Sequence, residues 1–353
     1  MTDDDIPEAD RAGDAPHPRM TERLIGHAGA EREVVEAWNR GRMPHGWLLT
    51  GPPGVGKATF AWRMARFLLA DPPERAETLD APPDHPALGR IRALSEPGLL
   101  LLRREWDAKA RRLGTQITVD NVRRLGGFFA LSASGRRVVI VDPADDMNPN
   151  AANAILKLLE EPPGRATLIL VAQRPARLLP TIRSRCRVLR LTPLSEDDVA
   201  DAVRQAGGDP ATAALAGGSP GAALALARGG AEARASLLAL LRQSPMDRAR
   251  ARALADACGG RAGLDRLDAT LGAIGRLLHD AARAGLLGPP PGTAPEEAET
   301  LSRLAPDDRA ARLWATLAPE IEARASHARA VNIDGAAIVW DALARIDVQR
   351  RAI

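Results

Sequence analysis

Gly51-Pro52-Pro53-Gly54-Val55-Gly56-Lys57-Ala58 is the stretch that decides the fold. It matches the phosphate-binding pattern G-x-x-x-x-G-K-[ST] at every specified position except the last. The glycines at 51, 54 and 56 let backbone N–H groups turn toward phosphate oxygens, and Lys57 supplies positive charge. Where a hydroxyl would hold Mg²⁺, Ala58 offers only a methyl group. Trp47-Leu48-Leu49-Thr50 enters the loop as a short apolar run, and Ala58 to Leu69 leaves it with helical periodicity. A turn without a ligand is the alternative reading. The flanking strand and helix count against it, because that context aims a helix N-terminus at an anion.

Outward from the loop, short β-like runs alternate with helical stretches. Leu99 to Leu102 and Val138-Val139-Ile140-Val141 are strands, as are Leu168-Ile169-Leu170-Val171 and Val188-Leu189-Arg190-Leu191. Val119 to Ala130 is a helix with Val122, Leu125 and Phe129 on one face, and Asn150 to Glu161 is a helix stopped by Pro162-Pro163-Gly164. This alternation predicts an α/β fold, with a P-loop core built on a parallel sheet covered on both faces. After Thr192-Pro193-Leu194 the pattern is helical, broken at Gly217-Gly218-Ser219-Pro220 and at Gly288 to Pro295. The expected organisation is an acidic disordered tail over 1–20, an α/β core over 21–193, a small helical lid domain over 194–243 and an all-α C-terminal domain over 244–353. The Pro-rich, acidic segment Asp71 to Pro86 reads as a surface excursion from the core.

The chain has 353 residues, 45% of them apolar and 26% charged, the balance of a soluble globular protein. It holds no apolar run of about 18 residues, so no membrane span is expected. The acidic start, Met1 to Asp14, is the opposite of a secretory leader, and the cytosol is the expected compartment. Two cysteines, Cys186 and Cys258, make neither a disulfide framework nor a four-ligand zinc site. A net charge of +3 neither requires nor forbids a nucleic-acid partner.

A nucleotide-hydrolysing site also needs a strand ending in an acid that orients Mg²⁺, usually followed by a Glu that polarises water. Val138 to Asp142 supplies the strand and the acid, but Pro143 follows and cannot act as a base. Asp142 therefore reads either as a relic metal acid or as a residue that caps a strand end. Asp145 and Asp146 lie nearby on a turn.

The helix Ala151-Ala152-Asn153-Ala154-Ile155-Leu156-Lys157-Leu158-Leu159-Glu160-Glu161-Pro162-Pro163, followed by Ser184-Arg185-Cys186, resembles the bacterial clamp-loader branch of the AAA+ ATPases. The pairing and spacing of these two motifs are far more specific than the glycine loop alone. The resemblance covers residues 22 to about 193, and the helical remainder only by layout. It implies a five-stranded parallel AAA+ core, a helical lid and a C-terminal collar that closes a ring. It also implies that Arg185, flanked by Ser184 and Cys186, is an arginine finger acting in trans on a neighbour's ATP, since a guanidinium is permanently charged and can bridge two phosphate oxygens. A surface arginine in a basic run is the alternative for Arg185, and a buried thiol is the simpler reading of Cys186.

Active relatives carry a further arginine in a Gly-Ser-x-Arg pattern, and Gly218-Ser219-Pro220-Gly221 has glycine in its place. Gly51, Gly54, Gly56, Lys57 and Asp142 then form a degenerate nucleotide site in which Ala58, Pro143 and Gly221 replace working residues. Each replacement removes a different part: the Mg²⁺ ligand, the acid that polarises water, and the cis cation. The resemblance accordingly implies a non-hydrolysing clamp-loader subunit in a hetero-oligomeric ring that loads a sliding clamp onto primed DNA. It requires no cofactor of its own, leaves ATP binding open, and lacks the zinc module of relatives, because Asp71 to Arg137 contains no cysteine. An ATP-hydrolysing AAA+ motor subunit is the competing reading. Arg123 and Arg124, on the helix that starts at Val119, are read either as DNA phosphate contacts or as part of a solvated face. The stripe Leu313, Trp314, Leu317 and Ile321 reads as core, with a partner interface in the collar as the alternative.

Overall fold

The computed structural model describes residues 8–11, 15–108, 112–130, 135–243, 245–290 and 292–353. These form two compact units: one runs to Gly207 and takes in Gly218–Gly221, the other comprises Gly208–Gly217 and Ala222–Ile353.

The first unit is the α/β body. Along the chain come α1 (Ala28–Asn39), β1 (Gly46–Thr50), α2 (Lys57–Leu69), α3 (Pro86–Arg92) and β2 (Leu99–Leu102), then the two-residue strands β3 (Trp106–Asp107) and β4 (Arg112–Leu113). After these follow α4 (Val119–Ala130), β5 (Arg137–Val141), α5 (Pro149–Glu160), β6 (Ala166–Val171), α6 (Pro180–Arg185), β7 (Arg187–Arg190) and α7 (Glu196–Gln205). The five long strands form one parallel sheet in the order β2-β5-β6-β1-β7, the fold expected of an AAA+ P-loop core. The glycine loop thus leaves the carboxyl end of β1, which has β6 on one side and β7 on the other, the position where open α/β sheets place their ligands.

Alternation along the strands builds both faces. Trp47, Leu49, Val138, Ile140, Ile169 and Val171 pack with Phe60, Trp62 and Met64 of α2 on one side. Leu48, Val139, Val141, Leu168 and Leu170 pack with Val122, Leu125, Ile155, Leu159 and Ile182 on the other. The near-continuous apolar runs follow from burial on both faces. On α4 the buried phenylalanine is Phe128, with Phe129 only half-buried, so the expected stripe is displaced by one residue. Asn121 Oδ1 accepts from the Thr118 backbone N–H at 2.7 Å, and Asn148 Oδ1 accepts from that of Ala151 at 2.8 Å, so side chains serve the starts of α4 and α5.

Part of the segment expected to be a disordered tail is ordered. The side chain of Asp10 is fully buried, pairing with Arg103 and lying 3.0 Å from His17, while Glu8 pairs with Arg103 at 3.0 Å and with Arg19 at 2.6 Å. Burying acids beside fixed arginines is what holds this segment, and acidic composition alone did not reveal those partners. Residues 1–7 and 12–14 of the expected tail lie outside the described residues.

The excursion from Asp71 to Pro86 is pinned by packing and hydrogen bonds. Asn39 exchanges two bonds of 2.8 Å with the backbone of Ala76, Trp38 Nε1 donates to Pro73 O at 2.8 Å, and Leu79 is buried while its N–H donates to Glu31 at 2.8 Å.

The second unit holds most of α8 (Pro220–Ala225), with α9 (Ala231–Leu241), α10 (Arg248–Asp256), α11 (Leu264–Leu287), α12 (Pro295–Leu304), α13 (Asp308–Ala330) and α14 (Gly335–Arg351). Trp314, Leu317 and Ile321 are buried in its core, and Trp314 Nε1 donates to Leu304 O at 2.7 Å. No helix among the described residues is long and apolar enough to cross a membrane.

Candidate functional site

Gly51, Gly54 and Gly56 hold φ of 141°, 72° and 108°, the backbone region that favours glycine. A β-carbon on Gly51 would also lie 2.3 Å from Leu191 O. Lys57 opens α2 but is only 3% exposed, and its ammonium donates to Gly51 O and Pro52 O, both at 2.8 Å. Burial pulls its pKa down to about 8, against the opposing pull of Asp142 and Asp145. His27 Nε2 donates to Val55 O at 2.8 Å, a support for the loop that the linear pattern gave no sign of.

Residues 218–221 lie directly on the loop. Ser219 Oγ donates to Pro53 O, and the Gly221 N–H donates to Gly54 O, each at 2.9 Å. A β-carbon at position 221 would stand 2.7 Å from Gly54 Cα. Backbone on backbone leaves no room there for the arginine of active relatives.

Asp142 ends β5 and is buried, as a strand-end residue beside the loop would be. Burial pushes its carboxyl up to about 8, with Asp10 adding to the rise and Lys57 opposing it. Burial thus favours its neutral form more than in an ordinary aspartate. Its neighbours are engaged elsewhere. Asp145 accepts from the N–H groups of Gln173 at 2.7 Å and Arg174 at 3.3 Å, and Asp146 pairs with Arg104 at 2.9 Å. Pro143 offers no acid. With a methyl at 58, proline at 143 and backbone filling the place beside 221, these residues do not fit a metal-bound nucleotide poised for hydrolysis. Among the described residues no group of three or more His, Cys, Asp or Glu side chains is placed to hold a metal ion.

Arg185 stands at the opposite edge of the sheet. It ends α6, and its carbonyl oxygen would meet a β-carbon of Gly46, the first residue of β1, at 3.4 Å. The glycine loop leaves the other end of that five-residue strand. Five residues at about 3.3 Å each span ~16 Å, further than an arginine side chain extends, so Arg185 cannot serve its own loop. Its guanidinium is 37% exposed, lies 2.8 Å from Glu160 and donates to Thr181 O at 3.2 Å. Ser184 Oγ donates to Thr181 O at 3.1 Å. Cys186 is a free, buried thiol whose pKa burial raises to about 12, a packing residue rather than a nucleophile. Glu160 lies within the helix that carries the resemblance, but the 24 residues between them hide its contact with Arg185.

Arg123 projects from α4 and pairs with Asp120 at 2.7 Å. It lines a cavity of about 590 Å³ between α4 and α5 together with Asn150, Asn153 and Lys157. The sequence offered Arg123 and Arg124 as one helix face; the groove needs the packing of two helices.

Residues 26–195 match the family model described as DNA polymerase III, delta subunit. The chain is 40% identical over 190 residues to the DNA polymerase III subunit delta′ of Pseudomonas aeruginosa, which covers 51% of this chain and 55% of that one. It is 31% identical over 218 residues to subunit delta′ of Escherichia coli, covering 56% and 58%. It is also 30% identical over 189 residues to subunit gamma of Buchnera aphidicola, covering 52% and 47%. The chain thus spans about half the length of the curated relatives it matches.

Proposed function

From the family match over residues 26–195 and the likeness to delta′ subunits, we propose that this chain is a delta-prime-type, non-hydrolysing clamp-loader subunit in DNA replication. In this reading it sits in the cytoplasm in a hetero-oligomeric ring with delta and gamma/tau subunits, and donates Arg185 to the ATP site of the adjacent gamma/tau subunit. Its contribution is interface geometry: the ring loads the sliding clamp onto primed DNA while its own loop turns over nothing.

The observation that carries this reading is the placement of Arg185. A partly exposed arginine side chain at the amino end of β1, a full strand away from its own loop, supports a role on a second molecule. Supplied in trans, such a group is worth about 10³–10⁵ in rate at the site it serves. A head-to-tail, heterologous contact is the arrangement that lets one subunit's finger meet another's nucleotide. Ala58, Pro143 and Gly221 give the complementary half, since each removes a different requirement of hydrolysis in this subunit.

The test is a reconstituted clamp-loading reaction with ATP and primed DNA. Lys57→Ala should leave the DNA-stimulated ATPase of the assembly within about 2-fold of wild type, because a loop that does not turn over carries none of the 10³–10⁵ at stake. Arg185→Ala should remove the turnover of one neighbouring site. The reverse pattern, or multiple-turnover hydrolysis by the purified chain alone, would make this subunit an ATP-hydrolysing AAA+ motor instead.

A further inference from the structure

In Pro44-His45-Gly46, just ahead of the glycine loop, Gly46 lies against the Arg185 backbone. His45 Nε2 stands 2.9 Å from Leu159 O, and a carbonyl can only accept, so the imidazole is the donor. Leu159 belongs to the last turn of α5, whose carbonyls lack helical partners. His45 thus fixes the end of α5 to the start of β1, where its own carbonyl accepts from Leu168 N–H at 2.7 Å.

Gly46 completes the junction. A β-carbon there would lie 2.7 Å from Leu159 Cδ2, 3.3 Å from Cys186 Sγ and 3.4 Å from Arg185 O. The last turn of α5 and the Arg185–Cys186 backbone can therefore close on the same point of β1. Leu159 and Cys186 are both buried, so neither yields freely. Glu160 follows Leu159 and reaches Arg185 Nη2 at 2.8 Å, while Arg185 Nη1 donates to Thr181 O at 3.2 Å. The Thr181 contact is a hydrogen bond and the Glu160 contact an ion pair, so each restrains one of the two Nη groups.

We propose that His45, Gly46 and Glu160 are positioning residues that hold the Arg185 guanidinium in a fixed orientation for the neighbouring phosphate. The inference rests on the trans role proposed for Arg185. A long, flexible arginine loses rotamer freedom when it engages a phosphate, and a carboxylate already paired with it removes part of that loss beforehand. His45 and Gly46 act one step further back, by holding the end of α5 from which Glu160 projects.

The experiment uses the full chain in the reconstituted assembly, with ATP and primed DNA, and compares Glu160→Ala, Glu160→Gln, His45→Ala, Arg185→Ala and the Glu160→Ala/Arg185→Ala pair. Glu160→Ala is expected to remove most of the DNA-stimulated turnover that Arg185→Ala removes, with KM for ATP and ring assembly unchanged. Glu160→Gln, which keeps an acceptor at the same reach, should recover most of it, and His45→Ala should show a smaller loss of the same kind. The double variant should be no worse than Arg185→Ala, because Glu160 acts only through Arg185. A fully active Glu160→Ala beside a defective Arg185→Ala, or losses that add in the pair, overturns the seat and leaves the finger standing. A silent Arg185→Ala removes the finger reading, and ¹⁵N relaxation of Arg185 Nε in the isolated chain then decides the seat. Picosecond–nanosecond motion gained in Glu160→Ala supports it, and an unchanged order parameter overturns it.

Discussion

Gly221 donates its N–H to Gly54 O at 2.9 Å, so close that a β-carbon at 221 would stand 2.7 Å from Gly54 Cα. The glycine is required by the loop beneath it, and the absent arginine cannot simply be put back. Ala58→Ser/Gly221→Arg should therefore show no multiple-turnover ATPase. It should also lose about 1–3 kcal/mol of stability through overpacking, read from urea denaturation. Restored turnover at undiminished stability would contradict the steric argument.

The carboxyl of Asp142 gives a pH signature. Its pKa rises from 3.8 to about 8 on folding, because burial, with Asp10 second, disfavours the charge. Between those values the folded chain binds the extra proton, so this contribution to stability is complete below about 3.8 and is lost as pH rises through about 8. Lys57 works the other way: its pKa falls from 10.5 to about 8, so stability recovers as pH rises across that interval. Asp142→Asn keeps a neutral group of the same shape and should flatten the decline between pH 5 and 8. Urea midpoints at the two pH values check this, and an unchanged slope in the variant would rule it out.

The glycine loop, the strands and the paired motifs around Glu160 and Arg185 were legible because they are local: period-two apolar runs, glycines at fixed offsets and proline stops each carry their own chemistry. Contacts between elements were not. Nothing in the linear pattern says that Gly221 rests on Gly54 or that His45 holds the end of α5, since each depends on how two helices meet one strand. The acidic N-terminus misled for the same reason. Composition reads Glu8 and Asp10 as solvated, and only the tertiary position of Arg103 makes them buried partners.

Arg123 offers a separate measurement. It is well exposed on α4 and shares the α4–α5 groove with Lys157. If the groove follows a DNA backbone, Arg123→Ala should weaken binding of primed DNA by the assembly without regard to sequence. It should also reduce the slope of log K against log salt by about 1. Unchanged affinity and slope would return Arg123 to an ordinary pair with Asp120.

The ordered N-terminal segment makes the last prediction. Asp10 is fully buried between Arg103 and His17, and burial alone would raise its pKa; hydrogen bonding and charge from His17 and Arg103 outweigh that and hold it below the usual range. A depressed carboxyl pKa stabilises the fold above the unfolded value of 3.8, and that contribution fades as pH falls through the folded value. Arg103→Ala strands Asp10 without its arginine partner and should cost about 3 kcal/mol at pH 7, the order expected for a broken buried pair. The cost should shrink toward pH 4, where the stranded acid can take up a proton. Asp10→Asn/Arg103→Ala should recover most of the loss at pH 7, because the buried charge goes with its partner. Urea denaturation of the three variants at both pH values decides it: a loss in Arg103→Ala that neither Asp10→Asn nor acid relieves would mean that Arg103 stabilises the segment through its aliphatic stem and not through charge.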